Sequence, residues 1–265
     1  FESTHVAPRH IDVWLPEGYG ESDKEYAVIY AHDGQNLYNP EVTWNRQAWQ
    51  IDDGLQRLMD DGLVRDAIVV GIWNTEKRYE EYLPQGIVDS LADDVQNDIR
   101  GVINGDTLSD EYLRFVVEEV KPFIDSEYRT LPDRDNTFVL GSSMGGLISL
   151  YAMISYPDVF AAAACVSTHW PLANGTYETA NTERVVEYLR TALPEPGSQR
   201  FYFDYGTTEL DEYYEVHQLM VDEVFIELGY TQGDDFISLK YEGAGHNETA
   251  WADRVETPLG FLLAE

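Results

Sequence analysis

Seven short stretches of the chain are apolar on nearly every position and stop abruptly at glycine or polar residues: HIDVWLP, YAVIYAHDG, DAIVVGIWN, NTFVLGSS, AAAACVSTHW, RFYFDYGTTE and FISLKYEGAGH. Their β-branched and aromatic content predicts strands. Between them the apolar spacing becomes helical in LSDEYLRFVVEEVKPFIDSEY, ERVVEYLRTAL and DEYYEVHQLMVDEVFIELGY. Ser109 is the expected N-cap of the first of these, with acidic residues in its opening turn. Strands alternating with helices predict an α/β fold, a mostly parallel sheet covered on both faces, with function gathered at the carboxyl ends of the strands. No repeat, low-complexity tract or long polar linker interrupts the 265 residues, so a single domain spanning 1–265 is expected.

Charge changes the picture of partners. Against 17 basic residues stand 49 acidic ones, a formal net charge of -32, which disfavours nucleic acid and anionic membranes. Such an excess repels itself where the Debye length is about 30 Å, at 0.01 M salt, and is screened where it falls to about 3 Å, at 1 M. Adaptation to high salt is the expectation, and a merely acidic soluble enzyme is the alternative. No stretch approaches the roughly 18 apolar residues of a membrane span, so membrane insertion is not expected. The opening FESTHVAPRHIDVW lacks the layout of an export signal, yet it begins at Phe1. A soluble protein, cytoplasmic or exported after signal removal, fits both facts. The single cysteine, Cys165, has no intrachain partner and sits among apolar neighbours, which predicts an inert buried thiol.

The junction between NTFVL and the helix-like MGGLISLYAMISY carries the candidate chemistry. Gly141-Ser142-Ser143-Met144-Gly145 fits G-x-S-x-G with Ser143 at its centre, and Ser142 is the neighbouring rival. A sharp strand-to-helix turn strains the central serine, and side chains on the flanking positions, 141 and 145, are expected to collide as strand and helix close together. The same turn aims the Met144 N–H at the place where an oxyanion develops. The order of such a site is serine, then acid, then histidine. After RFYFDYG come Glu209 and Asp211, and after FISLKYEGAG comes His246. An imidazole must take the serine proton during attack and a carboxylate must hold its tautomer. His246 suits the first role, and either carboxylate suits the second. His5, His10, His32, His169 and His217 fall outside the expected order and read as structural histidines. A second oxyanion donor is expected from the loop HDGQNLY, where Gly34 allows close backbone approach and the Gln35 N–H is the candidate.

With these residues assembled, the chain resembles the esterase branch of the α/β-hydrolase superfamily that includes enterochelin and ferric-siderophore esterases, S-formylglutathione hydrolase, feruloyl and acetyl-xylan esterases, and mycolyltransferases. IYAHDGQNLY, NTFVLGSSMGGLISLYAMISYPDVF, FDYGTTELDEYY and GAGHNETAWADRVETPLGFLL follow that branch in order, over nearly the whole chain. The resemblance implies an α/β-hydrolase fold with Ser143 as nucleophile, His246 as base, and Met144 with Gln35 as oxyanion donors. It points to Asp211 as the acid, with Glu209 as the alternative acid. Some siderophore-hydrolysing members work with a Ser-His pair alone. Where members commonly carry S-P-S-L-W this chain has STHW, Ser167 to Trp170, so Trp170 is expected to line a substrate pocket, with His169 beside it. Aromatic residues in EVTWNRQAWQ and KRYEEYLP read as packing residues before a sugar or aromatic platform.

The expected activity is a serine carboxylic-ester hydrolase acting through an acyl-enzyme on small, carbohydrate-linked or aromatic esters. An acyltransferase using the same intermediate and a non-catalytic binding protein of the same fold are the alternatives. No metal or organic cofactor is implied, since H-E-x-x-H, paired C-x-x-C, phosphate-loop and dinucleotide signatures do not occur. The expected partner is a small-molecule ester.

Overall fold

The computed structural model describes residues 1–43, 45–172 and 177–264. Each of the seven apolar stretches contains a strand: β1 (Ile11–Trp14), β2 (Ala27–His32), β3 (Ala67–Ile72), β4 (Thr137–Ser142), β5 (Ala162–Val166), β6 (Arg200–Tyr205) and β7 (Phe236–Lys240). They form one sheet in the order β1-β3-β2-β4-β5-β6-β7. β1 is antiparallel to β3, and every other pairing is parallel. Such a sheet needs cover on both faces. The helices that supply it are α1 (Ile51–Asp60), α2 (Arg78–Tyr82), α3 (Gln85–Asp89), α4 (Asp93–Ile103), α5 (Ser109–Arg114), α6 (Lys121–Glu127), α7 (Met144–Ser155), α8 (Ala180–Ala192), α9 (Tyr214–Glu227), α10 (Glu248–Ala252) and α11 (Glu256–Leu263).

Period-two alternation splits the strands between two cores. Val28, Tyr30, Val139, Ala163, Cys165, Phe201 and Phe203 meet α7, α8 and α9 on one side. Ala27, Ile29, Ala31, Leu140, Ala162, Ala164 and Tyr202 meet α1 and α11 on the other. Alanines at four of these second-side positions leave room for a helix to lie close to the sheet, and burying each large aliphatic side chain contributes roughly 1.5–3 kcal/mol. Cys165 is fully buried in β5, and burial pushes its thiol up from the ordinary value.

Two local expectations change. Ser109 does not cap its own helix: it is the first helical residue of α5, and its Oγ accepts the Gln85 N–H at 2.7 Å, so it holds the start of α3. The long helix from residue 108 is also not uniform. Phe115–Val120 forms a wide i→i+5 segment before α6. Pro122 follows with no N–H to give, which removes a regular hydrogen bond from this stretch. Among the described residues no helix is long and apolar enough to cross a membrane.

β4 is the middle strand. The carboxyl ends of β2, β4, β5, β6 and β7 therefore converge on one edge of the sheet, bringing together residues from position 33 to position 254.

Candidate active site

Ser143 sits between β4 and α7 with φ 57° and ψ −121°, a backbone strain that costs about 1–3 kcal/mol. The surroundings fix it. Its N–H donates to the Val166 carbonyl at 2.9 Å, and its own carbonyl accepts the N–H groups of Gly146 at 3.0 Å and His169 at 3.2 Å. A Cβ at Gly141 would lie 2.5 Å from the Gly145 carbonyl oxygen, so the first glycine of the motif is required. A Cβ at Gly145 would meet nothing closer than 3.5 Å. The expected collision at that position is absent, and it falls one residue later, where a Cβ at Gly146 would lie 2.6 Å from Thr168 Oγ1. Ser142 is the buried last residue of β4 and not the residue at the turn.

His246 and Asp211 are brought together, with Nδ1 to Oδ1 at 2.6 Å. A carboxylate only accepts, so Nδ1 carries the proton and Nε2 is the bare nitrogen. The Asp211 side chain is fully buried. Burial alone would raise its pKa, but hydrogen bonds from His246, Ser167 and the Gly206 N–H outweigh this and hold it below the usual carboxylate range. Glu209 does something else. Its Oε2 accepts the backbone N–H of His246 and the Asn247 amide, both at 2.9 Å, so it ties down the histidine loop without touching the ring.

Behind Asp211 lies a network that sequence reasoning missed. Ser167 Oγ donates to Asp211 Oδ2 at 2.6 Å and accepts from Trp251 Nε1 and Arg254 Nη2, each at 3.0 Å. Arg254 in turn pairs with the buried Asp204 at 3.0 Å. Burial works against the Arg254 charge, and Asp204 more than restores it. The paired charge thereby orders Ser167, and Ser167 orders Asp211. Ser167 lies in STHW, a segment the sequence marks by its tryptophan and not by its serine.

On the other side of the elbow, Asp33 anchors the loop after β2. Its carboxylate accepts Arg78 Nε and Nη2, both at 2.7 Å, and Asn74 Nδ2 at 2.5 Å. Burial would raise the Asp33 pKa, and Arg78 with Asn74 brings it below the ordinary value instead. Gly34 is required by contact, since a Cβ there would lie 2.4 Å from the Gly71 backbone. Gln35 Oε1 accepts the Asn74 N–H at 3.1 Å. Among the described residues no protein acceptor takes the Gln35 or Met144 N–H. The start of α7 adjoins this loop, the Gly145 Cβ position being 3.5 Å from Asp33 Oδ2 and His32 Cβ. Glu248, accepting from Asn36 at 3.1 Å and Asn45 at 2.5 Å, links the same loop to the helix after His246. Among the described residues no group of three or more His, Cys, Asp or Glu side chains is placed to hold a metal ion.

Residues 4–254 match the family described as "Putative esterase". The chain belongs to this esterase family. It is 25% identical over 264 residues to the Bacillus subtilis (strain 168) protein YbbA, covering 97% of this chain and 93% of that protein. A ferulic acid esterase structure superposes with a TM-score of 0.71 at 18% identity, over 99% of this chain and 95% of the other. The enterobactin esterase FES from Shigella flexneri, solved in the presence of enterobactin, superposes with a TM-score of 0.71 at 16% identity, over 99% of this chain and 57% of that one. The fold is that of the α/β-hydrolase esterases, and the protein is a carboxylic-ester hydrolase.

Two further expectations change in the esterase. Trp170 is fully buried against Phe203 and donates to Gln218 Oε1 at 2.9 Å, so it belongs to the core and does not line a cavity. His169 is the residue of that segment that faces open space. With Leu172, Leu210, Tyr79 and Tyr177 it borders a cavity of about 660 Å³. Of EVTWNRQAWQ, Trp49 packs on Trp251, and Trp44 lies outside the described residues.

His32 and His169 give the esterase a pH-dependent stability. Burial lowers His32 to about 4. Burial, with the nearby His246 adding, lowers His169 to about 4. Both folded values lie below the ordinary 6.5, so the unfolded chain takes up protons first as pH falls. The stabilisation is present above pH 6.5 and is lost down to about pH 4, at roughly 3 kcal/mol per imidazole. Thermal unfolding in molar salt should show the midpoint falling across that window. A flat profile would mean that neither ring is held neutral.

Proposed function

We propose that the esterase hydrolyses neutral esters through Ser143, His246 and Asp211. The observation that carries this is the combination of a strained serine on the middle strand with a buried carboxylate, two strands later, 2.6 Å from Nδ1 of the histidine that follows the third. Ser143 Oγ attacks the ester carbonyl while Nε2 of His246 takes its proton, and the Gln35 and Met144 N–H groups receive the oxyanion. His246 then protonates the leaving alcohol, and water releases the acid from Ser143. Asp211 keeps the imidazole in the tautomer that can accept.

The substrate reading rests on the cavity beside His169. Tyr79 and Tyr177, 52% and 40% exposed, offer flat apolar faces there, while Glu76 and Glu80 repel anions. An uncharged ester with an aromatic or sugar-linked group suits that chemistry. The fold shared with ferulic acid and enterobactin esterases is consistent with it.

The test is labelling with a fluorophosphonate and mapping of the modified residue by mass spectrometry. The adduct is expected on Ser143. Folded, active protein that stays unlabelled at Ser143 would overturn Ser143 as the nucleophile.

A further inference from the structure

Tyr214, at the start of α9, is not used by the mechanism above, yet it adjoins both Ser143 and His246. Its side chain adjoins that of Ser143, and its ring meets His246 edge-on at 5.5 Å between centroids. Burial pushes the phenol well above its ordinary pKa, so it stays protonated. The position of that proton follows from two hydrogen bonds of His169. Nε2 of His169 lies 2.8 Å from the Leu172 carbonyl, which only accepts, so Nε2 carries the ring proton. With His169 neutral, Nδ1 is bare, and it lies 2.6 Å from Tyr214 Oη. The tyrosine proton is therefore committed to His169. What Tyr214 turns towards the nucleophile is an acceptor and nothing else.

We propose that Tyr214, locked as an acceptor by His169, makes the acyl-enzyme prefer water over alcohols. The inference rests on Ser143 and His246 acting as described above. In the free enzyme the Tyr214 phenol adjoins the Ser143 side chain. Once Ser143 is acylated its proton has gone, and the Tyr214 lone pair faces the ester bond that must be cleaved. Water attacking the carbonyl carbon gives one proton to Nε2 of His246, and its second O–H donates to Tyr214. The bond from the carbonyl carbon to Ser143 Oγ then breaks, and the proton on His246 passes to Oγ. The product acid keeps the second proton, which is lost to solvent. An alcohol has one O–H, and His246 needs it. An alcohol attacking in water's place leaves Tyr214 without a donor.

The partition of one acyl-enzyme between two nucleophiles tests this, because the ratio does not depend on how much enzyme is folded. With p-nitrophenyl butyrate in water containing a fixed concentration of methanol, methyl butyrate and butyric acid are measured for the wild type and Tyr214→Phe. The ester-to-acid ratio is expected to rise about fivefold, the worth of one hydrogen bond. His169→Leu, which frees the tyrosine proton to turn towards the nucleophile, should raise it as well. His169→Asn, whose Oδ1 takes the place of Nδ1, should bring it back towards the wild-type value. A ratio unchanged or lowered in Tyr214→Phe overturns the proposal. Failure of the wild type to label at Ser143 would sink the earlier reading instead.

Discussion

Asp211→Asn is expected to lower kcat/KM by about 10³–10⁴ while leaving the fold intact, a magnitude seen where the acid of a hydrolase triad is neutralised. The argument comes from the partners of the other oxygen. Asp211 Oδ2 accepts the Gly206 N–H at 2.7 Å and the Ser167 hydroxyl at 2.6 Å. The first can only donate, and Ser167 already accepts from Trp251 and Arg254, so its own proton must go to residue 211. An asparagine there has to place its oxygen at this inner position and turn its NH₂ towards His246. That NH₂ donates to Nδ1, which forces the imidazole proton onto Nε2 and removes the base. Glu209→Gln has no such lever, because among the described residues Glu209 holds only the backbone N–H of His246 and the Asn247 amide. Its expected loss is within about tenfold, the scale of one weakened charge-assisted hydrogen bond. Steady-state kinetics on p-nitrophenyl butyrate separates the two carboxylates. Comparable losses in both variants would remove the assignment of Asp211 as the acid.

Five of the seven strands, β2 to β6, were legible because they are buried on both faces, and continuous apolar runs bounded by glycine leave a strong local pattern. Helices α2 and α3, five residues each, carry no such pattern, since one and a half turns cannot show a periodicity. For the site, the order of serine, acid and histidine follows from strand ends, which the pattern marks. What stabilises those residues was not marked. Ser167, Asp204, Arg254 and Trp251 meet from segments up to 87 residues apart, and nothing local distinguishes them from solvated polar residues. Tyr214 opens an apolar helix and reads as core. Trp170 misled for the opposite reason, since an aromatic residue next to a catalytic segment is just as readily buried behind the site as exposed in it.

The motif glycines show how far a spacing rule goes before the contacts must be measured. Gly141→Ala is expected to destabilise the esterase by on the order of 4 kcal/mol or more, because the new Cβ would meet the Gly145 backbone, which has no rotamer to give. Relief would require α7 to move away from β4, and that displaces the Met144 N–H from the oxyanion position. Activity should therefore fall along with the unfolding midpoint. Gly146→Ala meets the Thr168 hydroxyl, a side-chain atom, so a smaller loss of roughly 1–3 kcal/mol is expected, with some recovery in a Thr168→Ala background. Gly145→Ala has ordinary contacts only and lies in the first turn of α7, where alanine is a better helix former than glycine by up to about 1 kcal/mol. Its midpoint in urea or heat should equal or exceed that of the wild type. The rule names positions 141 and 145, and the packing of this chain places the constraint on 141 and 146. If Gly145→Ala unfolds as readily as Gly141→Ala, the helix must approach the strand more closely than these contacts allow, and the geometry argued for the elbow is wrong.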